Sequence, residues 1–129
     1  MGILRGVITA LLTPFHKREE ILEESLRKII EFQIERGVGG FLVCGTAGQG
    51  PLMTLAQRKK ALEIAVDQAK RRVPVIAQVG LPDTQSTIEL AVHAEDHDAT
   101  ALACVTPYYY KLDRNSMIGH YEAIASSVS

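Results

Sequence analysis

Four short apolar runs punctuate the chain, at residues 6–12, 40–44, 75–79 and 101–105. They are rich in β-branched residues and continuous rather than alternating, as in strands of a parallel sheet buried on both faces. Longer segments with helical spacing separate them. Leu22, Leu26, Ile29 and Ile30 recur at i, i+4, i+7 and i+8, and Leu62, Ala65, Val66 and Ala69 at i, i+3, i+4 and i+7. Ile88, Ala91 and Val92 start a third stripe; Met117, Ile118, Tyr121, Ile124 and Ala125 form a fourth. Each stripe is one face wide, with charges elsewhere, so these helices lie on a surface rather than inside a core.

The punctuation agrees with that division. Thr54 with Gln57 three residues on has the form of a capping box. Gly37 suits the end of the first helix. Lys70, Arg71 and Arg72 fit the last turn of the second helix, where cations complement the dipole, and Pro74 stops it. Asp83 or Thr84 is expected to cap the third helix and Asn115 or Ser116 the fourth. The order is β-α-β-α-β-α-β-α, which implies an α/β fold with a parallel sheet and right-handed crossovers. No linker or second domain interrupts it, so residues 1–129 are expected to form a single domain.

Two architectures fit this alternation. An open doubly wound sheet carries a glycine-rich phosphate loop after its first strand. Here Thr13-Pro14-Phe15-His16 follows, without glycine. A (β/α)₈ barrel needs about 250 residues, and this chain of 129 residues has room for about four βα units. Periodicity alone leaves the two level.

Composition narrows the function classes. With 47% hydrophobic and 22% charged residues the chain is an ordinary globular sequence. A net charge of -1 gives no electrostatic case for nucleic acid or an anionic membrane. No apolar run approaches the ~20 residues of a membrane helix. The N-terminus lacks a signal-peptide plan, and Gly6 breaks a myristoylation motif. Cys44 and Cys104 each end an apolar run outside any Cys-x-x-Cys pair, so reduced thiols and a cytoplasmic location are expected.

Chemistry in parallel α/β folds collects at the C-terminal ends of the strands. After the second strand comes Gly45-Thr46-Ala47-Gly48-Gln49-Gly50-Pro51, whose backbone N–H groups and hydroxyl suit a carboxylate or phosphate. After the fourth comes Val105-Thr106-Pro107-Tyr108-Tyr109-Tyr110. A phenol beside a threonine hydroxyl is able to relay a proton. Read singly, the first is a plain βα turn and the second aromatic packing.

Together and in this order, the Gly-Thr-x-Gly loop and the Thr-Pro-Tyr-Tyr segment resemble the dihydrodipicolinate synthase / N-acetylneuraminate lyase family. The opening Gly-Val-Ile-Thr-Ala-Leu-Leu-Thr-Pro-Phe, Pro74-Val75-Ile76-Ala77 and the Gly80 turn are similar to it as well. The Gly48-Gln49-Gly50-Pro51 continuation looks somewhat more like its 2-keto-3-deoxygluconate aldolase branch. The resemblance implies the first half of a TIM (β/α)₈ barrel. It implies a class I aldolase, or lyase, in which a lysine forms a Schiff base with pyruvate or another 2-oxo acid, with no separate cofactor.

By motif, the resemblance makes Thr46 and Tyr109 the catalytic candidates. Gly45, Thr46 and Ala47 become the carboxylate-binding residues. Ala47 stands where a second hydroxyl is usual, and Gln49 where many relatives have Glu. Tyr109 matches a relay tyrosine that typically reaches across a dimer interface, and Tyr108 an interface aromatic, implying a homo-oligomer, dimer or tetramer. The family's Schiff-base lysine lies on strand six. None of Lys17, Lys28, Lys59, Lys60, Lys70 and Lys111 matches it, so residues 1–129 alone are expected to be inactive.

Other constellations are weaker. Glu95-Asp96-His97-Asp98 runs around a helix end and reads as solvated; His16, His93 and His120 read as surface residues, and no metal site is expected. Lys59-Lys60 and Lys70-Arg71-Arg72 read as balanced by Glu63 and Asp67. A half-barrel that self-associates through its open strand edges is the alternative function. A nucleotide-binding module is disfavoured by the missing phosphate loop.

Overall fold

The computed structural model describes residues 4–17 and 20–129. Its elements in chain order are strand β1 (Ile8–Ala10), strands β2 (Phe15–His16) and β3 (Glu20–Ile21), helix α1 (Glu23–Glu35) and strand β4 (Gly40–Val43). Then come a 3₁₀ turn (Gly50–Leu52), helix α2 (Leu55–Ala69), strand β5 (Val75–Gln78), helix α3 (Thr84–Asp96), strand β6 (Ala101–Ala103) and helix α4 (Arg114–Ala125).

The main sheet runs β1-β4-β5-β6, all parallel, with each strand beside its predecessor in the chain. A doubly wound sheet reverses direction at a switch point; this one does not. The helices also form one layer, α1 on α2, α2 on α3 and α3 on α4. Sequential parallel strands with all helices on one side are the winding of a (β/α)₈ barrel, so the fold is the first half of that architecture.

The register shows which face carries the core. Thr9, Phe41 and Val75 align across the sheet, as do Val43, Ala77 and Leu102. Phe41, Val43, Val75 and Ala77 are buried beneath the helices, against Leu26, Ile30, Ile64, Leu90 and Ile124. The opposite residues, Ala10, Leu42, Ile76, Gln78 and Ala103, are half-buried or exposed. The expectation of burial on both faces therefore holds for one face only.

The capping box at Thr54 and Gln57 is formed in both directions. Asp83 caps α3 through the Ser86 N–H, which frees the Thr84 hydroxyl to meet His120. The cap of α4 is Asp113, with Ser116 as its donor, so the helix starts earlier than Asn115 or Ser116. Helix α2 ends at Ala69, and Lys70 takes a left-handed conformation, so the three cations lie beyond the last turn. Glu23 and Glu24 pair with Arg27 and Lys28 along one face of α1, whereas the basic clusters are balanced from other elements rather than by Glu63 and Asp67: Lys59 by Glu89, Lys60 by Glu23, Arg71 by Asp98 and Arg72 by Glu31.

Two features escaped the periodicity. The chain after β1 folds into a small antiparallel hairpin, β2 with β3. On α4 the buried positions are His120 and Ile124, while Ile118 and Ala125 face solvent. His120 is thus a core residue, not a surface one.

Candidate functional site

The loop after β4 is wound tightly by its own backbone. The Gln49 N–H donates to the Thr46 carbonyl and the Gly50 N–H to the Gly45 carbonyl, both at 3.0 Å. Cys44 and Gln49 adopt left-handed conformations, with φ of 60° and 63°. Two glycines make this path possible. A Cβ on Gly50 would lie 1.8 Å from the Cys44 carbonyl oxygen, and one on Gly48 would lie 2.6 Å from the Leu11 carbonyl oxygen. The Gly48 backbone is thereby pressed against the end of the first strand, next to buried Thr13.

This winding exposes Thr46 and Ala47, whose N–H groups make no backbone hydrogen bond among the described residues. Thr46 and Gly45 line an open cleft of about 580 Å³. Leu42, Gln78 and Ala103 form its floor, on the sheet face opposite the helices, and Pro51, Cys104, Val105 and Tyr108 its rim. The cleft therefore stands over the C-terminal ends of three adjacent parallel strands. Gln78 is held in place because its side-chain oxygen accepts the Gly80 N–H.

Of the residues singled out from sequence, Gly45, Thr46 and Tyr108 meet in this cleft. Ala47 is exposed beside it, and Tyr109 is not on its wall: it is 89% exposed, has φ 79°, and packs edge-on against Tyr110 with centroids 5.0 Å apart. The two cysteines are free. Burial pushes the Cys44 thiol up to about 11 and the half-buried Cys104 thiol upward as well, so neither is a ready nucleophile at neutral pH.

Sequence reasoning missed Arg58. It sits in the second turn of α2 and is 2% exposed, beneath the loop. One guanidinium nitrogen donates to the Gln78 carbonyl, while Nε and Nη1 are buried without a partner. Burial lowers its pKa, opposed by the nearby Cys44, Tyr108 and Cys104. A signal existed: Arg58 stands four residues before Leu62, in step with the apolar stripe, where a solvated cation would not be placed.

Comparison with known proteins agrees with this architecture. The model of the dihydrodipicolinate synthetase family matches residues 3–129. A 4-hydroxy-tetrahydrodipicolinate synthase from Bartonella bacilliformis is 39% identical over 127 residues, covering 98% of this chain and 43% of that protein. Among solved structures, CdNal from Clostridium difficile, in complex with mannosamine, superposes with a TM-score of 0.95 at 35% identity, over 99% of this chain and 44% of that one. The chloride-inhibited dihydrodipicolinate synthase from Acinetobacter baumannii, complexed with pyruvate, gives 0.93 at 33% identity, over 98% and 44%. The chain thus spans less than half the length of these relatives. With the family model matched over nearly every residue and the half-barrel superposing on these solved members, the chain belongs to the dihydrodipicolinate synthetase family.

Proposed function

We propose that the protein is a class I aldolase or lyase that makes or breaks a C–C bond to pyruvate or another 2-oxo acid through a lysine Schiff base. In this reading residues 1–129 furnish the carboxylate-binding and proton-relay half of the site, and the lysine is supplied from outside them. The observation that carries it is the cleft over the ends of β4, β5 and β6, with Thr46 on its wall and the Thr46 and Ala47 N–H groups making no backbone hydrogen bond among the described residues.

The chemistry assigns each group a task. The substrate carboxylate takes the Thr46 and Ala47 N–H groups and the Thr46 hydroxyl, as charge-assisted hydrogen bonds. Gly45 keeps the wall low enough for it to approach. Arg58 lies beneath the loop as a desolvated cation, and its field favours an anion in the cleft. Tyr109 shuttles the proton between Thr46 and the reacting carbon. It does so from a neighbouring protomer, with Tyr108 in the same contact, as its outward position suits. The proposal therefore includes a homodimer or tetramer that supplies the neighbouring protomer, and with it the cytoplasmic location expected from the reduced thiols.

Borohydride reduction of the native protein in the presence of pyruvate, read by mass spectrometry, tests this. A single lysine adduct is expected, with none on residues 1–129 alone. A native protein that traps no adduct refutes the reading. A second reading, a structural half-barrel that pairs with itself, is favoured by one observation: the sheet face bearing Leu42 and Ile76 has no helices over it. Light scattering that shows a monomer of residues 1–129 would remove it.

A further inference from the structure

Away from the cleft, three side chains that are separate in sequence converge between α2 and α3. Glu63 on α2 faces His93 in the last turn of α3 and His97 at its C-cap. Glu63 Oε1 lies 3.4 Å from His93 Nε2 and 4.0 Å from His97 Nε2. The three donor atoms all fall within 4.8 Å of one another. The two imidazoles lie over each other, centroids 4.0 Å apart and planes inclined by 32°.

Several details suit ligation better than a surface ion pair. Histidines at i and i+4 put both rings on one helix face. His97 Nδ1 is 2.8 Å from the His93 carbonyl oxygen, which only accepts, so Nδ1 is the donor and Nε2 is the nitrogen turned toward Glu63. A backbone carbonyl in that position is the usual partner of a metal-binding histidine, because it fixes the tautomer. His93 Nε2 is buried and makes no hydrogen bond, although Glu63 Oε1 is beside it. The nearest cation, Lys59, is paired with Glu89 instead. One carboxylate oxygen and two imidazole nitrogens within 4.8 Å of one another offer three ligand atoms to a single cation.

We propose that Glu63, His93 and His97 form a binding site for a divalent transition metal, zinc by its donor set, with the fourth position left to water. Zinc–nitrogen bonds of about 2.0–2.1 Å place tetrahedral ligands about 3.4 Å apart. The Glu63–His93 spacing already has that value, and His97 Nε2, 4.0 Å from Glu63, has to close by only roughly half an ångström. His93 lines a small cavity under the helices with Cys44, Arg58 and Gln78, whereas the cleft opens on the other face of the sheet, so the cluster is separated from it by the sheet itself. A metal there ties α2 to α3 and takes no part in the chemistry of the cleft.

Zinc titrated calorimetrically into the chelator-treated intact protein tests the site. One zinc per chain is expected, and the melting temperature should rise with zinc, because only the folded state gathers the three ligands. His97→Ala, at an exposed position that does not threaten folding, should weaken binding by at least about tenfold and abolish the zinc-dependent rise. Glu63→Gln should act in the same direction, and His16→Ala, outside the cluster, should bind as the parent does. Failure to bind one zinc per chain, or binding that His97→Ala and Glu63→Gln leave intact, overturns the proposal.

Discussion

Gly50→Ala isolates the packing of the Thr46 loop. The added methyl would start 1.8 Å from the Cys44 carbonyl oxygen and 2.6 Å from its carbon, both backbone atoms. No side-chain rotation relieves such a clash, so the backbone must move by more than an ångström. That movement opens the Gly50–Gly45 hydrogen bond and disturbs the Met53 N–H bond to the Gly50 carbonyl. Overpacking costs about 1–3 kcal/mol, and a buried bond left unmade about 1 kcal/mol or more, so a loss of about 3 kcal/mol is expected. Urea unfolding of parent and variant measures it. The same shift displaces Thr46, and a misplacement of about 1 Å is worth about 10²-fold in rate, readable in kcat/KM of the native protein. A variant as stable as the parent would refute the described contact between Gly50 and Cys44. A variant destabilised but fully active would refute the assignment of Thr46 to the chemistry.

Gly119→Ala is the counterpart: its Cβ meets nothing within 4 Å on an exposed stretch of α4, so urea unfolding should show a gain of about 0.5–1 kcal/mol from helix propensity alone. Glu31, held by Arg72 and then Gln68 at a pKa of about 2 against 4.5, contributes stability that is present above 4.5 and lost as pH falls through its folded value. Acid titration of Glu31→Gln should therefore converge on the parent below that window. His93 has its pKa depressed below 6.5 by burial, so the unfolded chain binds the extra proton first and stability declines as pH drops below 6.5. In the presence of chelator His93→Gln should flatten that limb of the stability curve, and an unchanged slope would refute it.

The order of elements was legible because each strand run and each stripe is local. The architecture was not legible from periodicity, since both competing folds alternate in the same way; only strand order and a one-sided helix layer separate them. Phe41 and Val43 could be read as core, but their inner-face neighbours Leu42 and Gln78 could not be sorted from them. Burial of one face depends on what lies across the sheet. Thr46 was visible through its glycines. Arg58 was passed over and His120 read as a surface residue because residue type was weighed above phase, although Arg58 keeps step with the α2 stripe and His120 stands four before Ile124. The Glu63, His93 and His97 cluster needs two helices aligned side by side, which no local window contains.

The left-handed residues divide by cause. Lys70 and Asp98 follow helix ends, where that conformation is an ordinary way to stop. Cys44 and Tyr109 end no helix; each stands next in sequence to a residue of the cleft wall, Gly45 and Tyr108. For Cys44 the compensation lies in its surroundings: it is 3% exposed and packed on Met53, and the loop is tied across it by the Gly45–Gly50 bond. Tyr109 has no such support. Its ring touches Tyr110, and 89% of it faces solvent. Strained residues persist where surrounding contacts over-determine them, and the contacts visible around Tyr109 do not. In the proposed function, a tyrosine at φ 79° with its ring outward is the group that meets a neighbouring protomer. That asymmetry supports Tyr109 acting in a neighbouring protomer's cleft while Thr46 acts in its own.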